Sequence, residues 1–149
     1  MENSTNAKGL SAKGLSKVVC GIIAACLIVT GAMLAGCGAK PTLEDYAKAH
    51  PDEISQVEDT LNASMAGMGS CEVEVEGNSI NYVLTINQNF NEMQISMFKS
   101  TMDSNLPTLE AQVKPTIQQM EEESGISDIT VSFECKDAAG ADLGTYTID

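Results

Sequence analysis

The sequence predicts an α+β domain in which helices cover one face of a four-stranded, largely antiparallel sheet, in the order α-β-β-α-β-β. Three observations lead to this two-layer fold class. Apolar residues recur at helical spacing over 54–65 and 102–120, and they alternate with polar residues over 71–84 and 129–135. A Gly-Asn pair at 77–78 divides the first alternating segment where a hairpin needs its turn.

The first helical region begins at Thr42, whose hydroxyl suits the N-cap position and which is followed by acidic residues in the first turn. Pro51 interrupts this region. Beyond the proline, apolar residues step by three or four positions and form one stripe that would face a core. The stripe consists of Ile54, Val57, Leu61 and Met65.

The hairpin around 77–78 has a register that satisfies both faces of the sheet at once. Its apolar pairs are Val75 with Ile80, Val73 with Tyr82 and Cys71 with Leu84. The alternate positions of its first strand are Glu72, Glu74 and Glu76, so a slip of one residue would bury three carboxylates. The pattern therefore predicts one buried face and one acidic face towards solvent.

A second helical region is predicted over 90–123, again with a single apolar stripe. Pro107 and Pro115 lie inside it, and each removes a backbone donor, so we expect either a break at 105–107 or a kink near Pro115. Two strands follow, the first over 129–135. The apolar positions of the second are Tyr146 and Ile148.

The N-terminal segment has the pattern of a bacterial lipoprotein signal. Lys8, Lys13 and Lys17 precede an uncharged run over 18–34, and small residues lead to Cys37. The pattern predicts cleavage before Cys37 and a lipid on its sulfur, which would hold the mature chain at the cell membrane on the extracytoplasmic side. The alternative is an uncleaved signal anchor, because the uncharged residues up to position 39 are numerous enough to span a bilayer.

The predicted organisation is a signal peptide over 1–36, a lipidated tether over 37–41 and a single domain over 42–149. The mature chain has five lysines against 20 acidic residues, a net charge of −15, and the sequence contains no arginine. Proteins that read phosphates need basic surfaces and arginine forks, so we expect no nucleic-acid partner. Anionic headgroups would also repel this domain, so the membrane contact is expected through Cys37 alone.

Two cysteines remain in the mature domain after Cys37. Cys71 and Cys135 fall on the apolar positions of their strands, so both are expected to face the core. Outside the cytoplasm they could form a disulfide if their strands are neighbours, or stay as buried thiols. No spacing of cysteine and histidine is typical of zinc or iron–sulfur sites, and we expect neither metal nor cofactor.

Candidate catalytic residues are few. His50 is the only histidine, with Tyr46 one helical turn before it; this could be an acid–base pair, but a residue at a helix end is the favoured interpretation. No nucleophile motif of the GxSxG kind is present, so we predict no enzyme and no catalytic residue. The acids of segment 137–142 could contact calcium weakly, although a solvated turn is favoured. The methionines are interpreted as core residues, not copper ligands.

The outward glutamates of the hairpin are the leading candidate for a partner surface. Glu72, Glu74 and Glu76 could gather a cation or a basic partner. The plainer interpretation, and the one favoured by the sequence, is that they are solvated residues that discourage pairing at the edge of the sheet.

Three segments together resemble a family of small Gram-positive lipoproteins with a C-terminal domain of unknown function: TLEDY at 42–46, EGNSINY at 76–82, and ITVSF at 129–133 continuing to Gly140. The strand at Val83 and Leu84 departs from the family, which tends to carry a further aromatic residue there. The resemblance covers essentially the whole mature chain. It implies an address and a fold, but no activity and no functional residues.

Two classes of function remain open at this stage. The favoured one is a non-enzymatic binding or interaction module, anchored at the membrane, with an unknown protein or small molecule as partner. The alternative is a small ligand- or ion-binding carrier that works with a membrane transporter. A two-lobed transporter receptor needs a much longer chain, which weakens the alternative.

Overall fold

The computed structural model describes residues 42–65 and 67–149. The predicted signal peptide and the whole predicted tether, including Cys37, lie outside the described residues. The elements in chain order are α1 (Leu43–Ala49), α2 (Pro51–Met65), β1 (Gly69–Glu76), β2 (Ser79–Ile86), α3 (Glu92–Ser124), β3 (Thr130–Lys136) and β4 (Asp142–Ile148). Within the two described ranges, no helix has the length and apolar character needed to cross a bilayer.

The four strands form one mixed sheet in the order β1-β2-β3-β4. The hairpins β1/β2 and β3/β4 are antiparallel, whereas β2 and β3 are parallel. The α+β class is confirmed, but two helices and not one precede the first hairpin, and the sheet is not purely antiparallel. The reason is the crossover: α3 carries the chain back to the end of the sheet where β2 began, so β3 must run in the same direction as β2.

The β1/β2 hairpin has the predicted register. Cys71 lies opposite Leu84, and Glu76 lies opposite Ser79 across the 77–78 turn. Gly77 has a φ of 58°, a left-handed conformation that glycine adopts without steric cost. The pairing confirms that one face of this hairpin is apolar and the other polar.

The hydrophobic core lies between the sheet and the helices. Alternate residues of each strand point into it, together with the apolar stripes of the helices. Helices α1 and α2 pack on β1, and α3 packs on β4. The least exposed large side chains are Tyr82, Phe133, Leu61, Met65, Leu84, Leu109, Ile129, Leu143, Ile148 and Val113.

Helix α3 continues through both of its prolines, so the predicted break at 105–107 is wrong. Pro107 and Pro115 are exposed, while Leu109 and Val113 between them are buried against the sheet. Each proline loses one helical hydrogen bond. Packing of the buried stripe holds the helix together across these two losses, and a kink near Pro115 stays a prediction.

The helix ends follow local rules. Thr42 is the N-cap of α1 and forms a capping box with Asp45, which confirms the predicted start. Asn91 and Gln94 form the corresponding box at the start of α3. Gly125, with a φ of 68°, ends α3 in the left-handed conformation common at helix C-termini.

Candidate functional site

The sheet has one face that the helices do not use for the core, which we call the open face. Its side chains alternate along each strand with the core residues. Hydroxyl, amide and carboxylate groups dominate it. The open face consists of Ser70, Glu72, Glu74, Glu76, Ser79, Asn81, Val83, Thr85, Thr130, Ser132, Glu134, Lys136, Thr145 and Thr147.

Negative charge on the open face is concentrated on β1. Glu72, Glu74 and Glu76 are all exposed there and lie two residues apart along the strand. Lys136 is the one cation of the open face, and its Nζ lies 2.9 Å from Oε1 of Glu134. The hydrogen bond to Glu134 raises the pKa of Lys136 above its ordinary value, and the charges of Glu74 and Glu72 raise it further.

Hydrogen bonds between neighbouring strands hold several of these side chains in place. Asn81 donates from Nδ2 to Oε2 of Glu74 at 3.3 Å and accepts at Oδ1 from the Ser132 hydroxyl at 3.0 Å. Two residues earlier on each strand, the hydroxyls of Ser79 and Thr130 lie 2.7 Å apart. Because these side chains are already ordered, a partner would lose little conformational freedom in binding them.

The dimensions of the open face limit the kind of contact it can make. Four strands about 4.8 Å apart and some eight residues long give a surface of roughly 15 by 25 Å. A standard protein interface buries about 800 Å² on each partner, and the open face is smaller than that. It therefore suits a weak or transient contact.

Helix α2 covers part of the outer edge of β1 through side chains. Asn62 accepts from the Cys71 N–H at 2.7 Å and donates to the Cys71 carbonyl at 3.0 Å. Glu58 accepts from the Val73 N–H at 2.8 Å. Sequence reasoning missed both residues, because nothing local shows that α2 lies beside this edge. An edge whose backbone is already bonded has less need of glutamates that discourage strand pairing.

The two core cysteines do not form a disulfide in the structure. Cys71 is 1% exposed and Cys135 is 2% exposed, and both are thiols. Both lie beside Leu84, on opposite sides, so they are separated by two strand spacings, or about 10 Å. A disulfide needs Cα atoms within about 7 Å, so the predicted possible bond does not fit this register. Burial raises the pKa of Cys135 to about 12, with Asp142 adding to the increase.

The Tyr46 and His50 pair lies where α1 meets α2. The two rings stack with centroids 4.4 Å apart, and the Tyr46 hydroxyl donates to Oε2 of Glu53 at 2.6 Å. Burial and then Glu53 raise the pKa of Tyr46 to about 12, so the phenol holds its proton firmly. His50 is the C-cap residue of α1, which agrees with the favoured helix-end interpretation.

The acidic 137–142 turn uses its first carboxylate to bond its own backbone. Asp137 is 2% exposed and accepts from the N–H groups of Phe90, Ala139 and Ala141 at 3.0, 2.9 and 2.8 Å. These bonds, led by that of Phe90, lower the pKa of Asp137. Because backbone donors occupy this carboxylate, the turn offers little to a calcium ion.

The methionines within 42–65 and 67–149 differ in burial. Met65, Met102 and Met120 are buried in the core, and Met68 packs against it while partly buried. Met93 and Met97, at the start of α3, are 74% and 64% exposed, so the core interpretation is wrong for these two. No group of three His, Cys, Asp or Glu residues with metal-binding geometry occurs within 42–65 and 67–149.

Comparison with protein-family models matches residues 43–148 to DUF4854, a domain of unknown function. No curated protein and no solved structure matches the chain. The expected C-terminal domain of unknown function is thereby confirmed, while its lipoprotein character and Gram-positive origin stay predictions. A function has to be argued from the geometry of this chain.

Proposed function

Because the chain belongs to the DUF4854 family, a domain of unknown function, we propose its role from its own surface: a lipid-anchored, extracytoplasmic binding module that contacts a basic partner through the open face. In this proposal the domain acts by contact and not by catalysis. The anchor is the lipid on Cys37, and the main contact residues are Glu72, Glu74 and Glu76.

The observation that carries the proposal is the way β1 is protected. Three of its outward backbone groups, the N–H and C=O of Cys71 and the N–H of Val73, bond to Asn62 and Glu58 of α2. Three exposed carboxylates on the same strand repel one another. Because α2 already protects this edge, they are not needed there to discourage pairing with another strand. Their charge is then available to attract a basic surface, an effect that acts on the association rate and is screened by salt.

The predicted anchor also sets an orientation. Four residues separate Cys37 from Thr42, so the domain begins within about 18 Å of the lipidated residue. The start of α1 is bonded to the 77–78 turn, since Glu44 donates its N–H to the Gly77 carbonyl at 2.9 Å and accepts from the Gly77 N–H at 2.9 Å. The end of the domain that carries the start of α1 and the 77–78 turn would face the membrane. The open face would then lie on the side of the domain, within reach of partners.

The test of the open face is capture of partners from cells by the full anchored chain. A variant with Glu72→Gln, Glu74→Gln and Glu76→Gln should lose at least tenfold in recovered partner at low salt. The control with Asp52→Asn, Asp59→Asn and Glu122→Gln removes the same charge from exposed helix positions and should bind like wild type. Equal loss in both variants would mean that net charge matters and the open face does not.

The test of the anchor is metabolic labelling with a fatty acid. Wild type should incorporate the label and Cys37→Ala should not, because the thioether to the lipid requires the cysteine sulfur. Residues 1–36 found intact in the mature protein would favour the uncleaved signal anchor instead. The carrier alternative predicts a small ligand that raises the melting temperature of the full chain, and no observation on the described residues favours it.

A further inference from the structure

The two edges of the sheet, β1 and β4, differ in whether their outward backbone groups are hydrogen-bonded. The Thr130 N–H donates to the Asn78 carbonyl, which fixes the direction of the backbone groups along β3. The backbone groups of Thr130 point to β2, so those of Phe133, three residues later, point to β4. Phe133 lies opposite Tyr146, so the backbone groups of Tyr146 point back to β3. It follows that Thr145 and Thr147 turn their N–H and C=O groups away from the sheet.

These four outward groups on β4 form no hydrogen bond with any residue in the described part of the chain. On the opposite edge of the sheet, Asn62 of α2 bonds the N–H and C=O of Cys71, and Glu58 accepts from the Val73 N–H. Exposed backbone groups on an edge strand are a template for an added strand. The β4 edge is open to one at Thr145 and Thr147, whereas α2 covers the β1 edge at Cys71 and Val73.

The composition of β4 does not discourage pairing along its second half. Residues 143–148 carry no charge and no proline, and threonine, tyrosine and isoleucine favour extended backbone. Features that discourage strand pairing are confined to the first half of β4. A bulge at its Asp142–Gly144 end shifts the register, and Oδ2 of Asp142 forms an ion pair with Nζ of Lys99 at 3.2 Å. The open stretch is therefore Thr145–Ile148.

A groove of about 500 Å³ lies where β4 ends, between α3 and the start of β3. Asp149, the residue after β4, lines it together with Asp128 and Glu121. Lys114 is the one cation on the same lining. Three carboxylates against one ammonium leave the groove negative, and its volume admits a lysine or arginine side chain.

We propose that the β4 edge binds an extended, basic polypeptide segment, whose backbone pairs with Thr145 and Thr147 and whose lysine or arginine side chain enters the acidic groove. The negative charge of this chain argues against a second copy of it as the segment that binds the β4 edge. Each copy carries a formal net charge of −13, and antiparallel pairing centred on Thr145 would bring Asp149 of one copy towards Asp142 of the other. This inference stands independently of the open face and of the lipid anchor.

The test measures binding of a labelled nine-residue peptide of alternating valine and lysine, capped at both ends, to the full chain in detergent by fluorescence anisotropy. Thr145→Pro removes one outward N–H without breaking a bond to β3, and should weaken binding at least tenfold. Thr145→Val keeps the N–H and should bind like wild type. Asp149→Asn combined with Asp128→Asn should also weaken binding, by removing charge from the groove.

A second probe covers the case in which Thr145→Pro does not fold. The same peptide with N-methyl groups on alternate amides keeps its charge but cannot pair as a strand, and it should bind at least tenfold more weakly to wild type. Equal binding of the methylated peptide, or of a matched valine–glutamate peptide, would overturn the proposal. Sedimentation of wild type as a dimer that Thr145→Val retains and Thr145→Pro loses would overturn it in favour of a second copy.

Discussion

Asp137 shows how one buried carboxylate can fix two loops. It joins the segment before α3, through Phe90, to the turn between β3 and β4, through Ala139 and Ala141. The sequence contained the signal, since aspartate at the start of a turn commonly accepts from the backbone two residues later. The bond to Phe90 was invisible to sequence, because it spans 47 residues.

Asp137→Asn is expected to lower the melting temperature at neutral pH, because an amide replaces a charged acceptor of three backbone bonds. The native pKa of Asp137 is depressed, so its stabilisation is present above the unfolded pKa of about 3.9 and is lost as pH falls through the lower native value. Thermal unfolding from pH 7 to pH 3 should show the difference from wild type shrinking below about pH 4. The exposed control Asp59→Asn should show little difference at any pH. A difference that stays constant into acid would contradict this role for the carboxylate.

Cys71 and Cys135 are expected to behave as inert core residues. Burial keeps the thiol of Cys135 protonated, and thiolate is the reactive form. Alkylation of unreduced protein should label neither residue in the native state and both after denaturation, as read by intact mass. Lack of labelling after denaturation, restored by a reductant, would show that the two are bonded after all.

At the scale of elements, the join between α2 and β1 depends on Asn62. Asn62→Ala would leave the N–H and C=O of Cys71 without these bonds, and we expect a loss of about 2 kcal/mol in the free energy of unfolding. Asn105→Ala on α3 loses only an exposed bond within its own helix and should change stability by less than about 0.5 kcal/mol. Chemical denaturation of both variants measures the contrast. Equal effects would mean that the edge bonds contribute little.

Elements whose partners lie nearby in sequence were predictable, and those with distant partners were not. One register of the 69–86 hairpin satisfied both faces, so alternation alone defined it. Pro107 suggested a break because its local cost is about 3 kcal/mol, while the opposing burial of Leu109 and Val113 on the sheet depends on the whole fold. The parallel pairing of β2 with β3 likewise requires the path of α3.

At the scale of the whole molecule, the sequence placed Glu72, Glu74 and Glu76 on a solvent-facing surface, and the structure has them there. It did not show which strands lie at the edges, because strand order follows from pairing across the long α3 crossover. Protection of one edge by α2 and exposure of the other at Thr145 and Thr147 are properties of that order. The candidate surfaces therefore became distinguishable only in the assembled sheet.

The central claim is that the anchored domain meets its partner through the open face, and photo-crosslinking in intact cells tests it most directly. A benzoylphenylalanine in place of Thr85, which lies on β2 in the open face, should form a covalent adduct with the partner. The same group in place of Thr108, exposed on α3, is the control and should form none. The adduct at Thr85 should disappear when Glu72, Glu74 and Glu76 are changed to glutamine. An adduct from Thr108 but none from Thr85 would contradict the account and assign the contact to the helical layer.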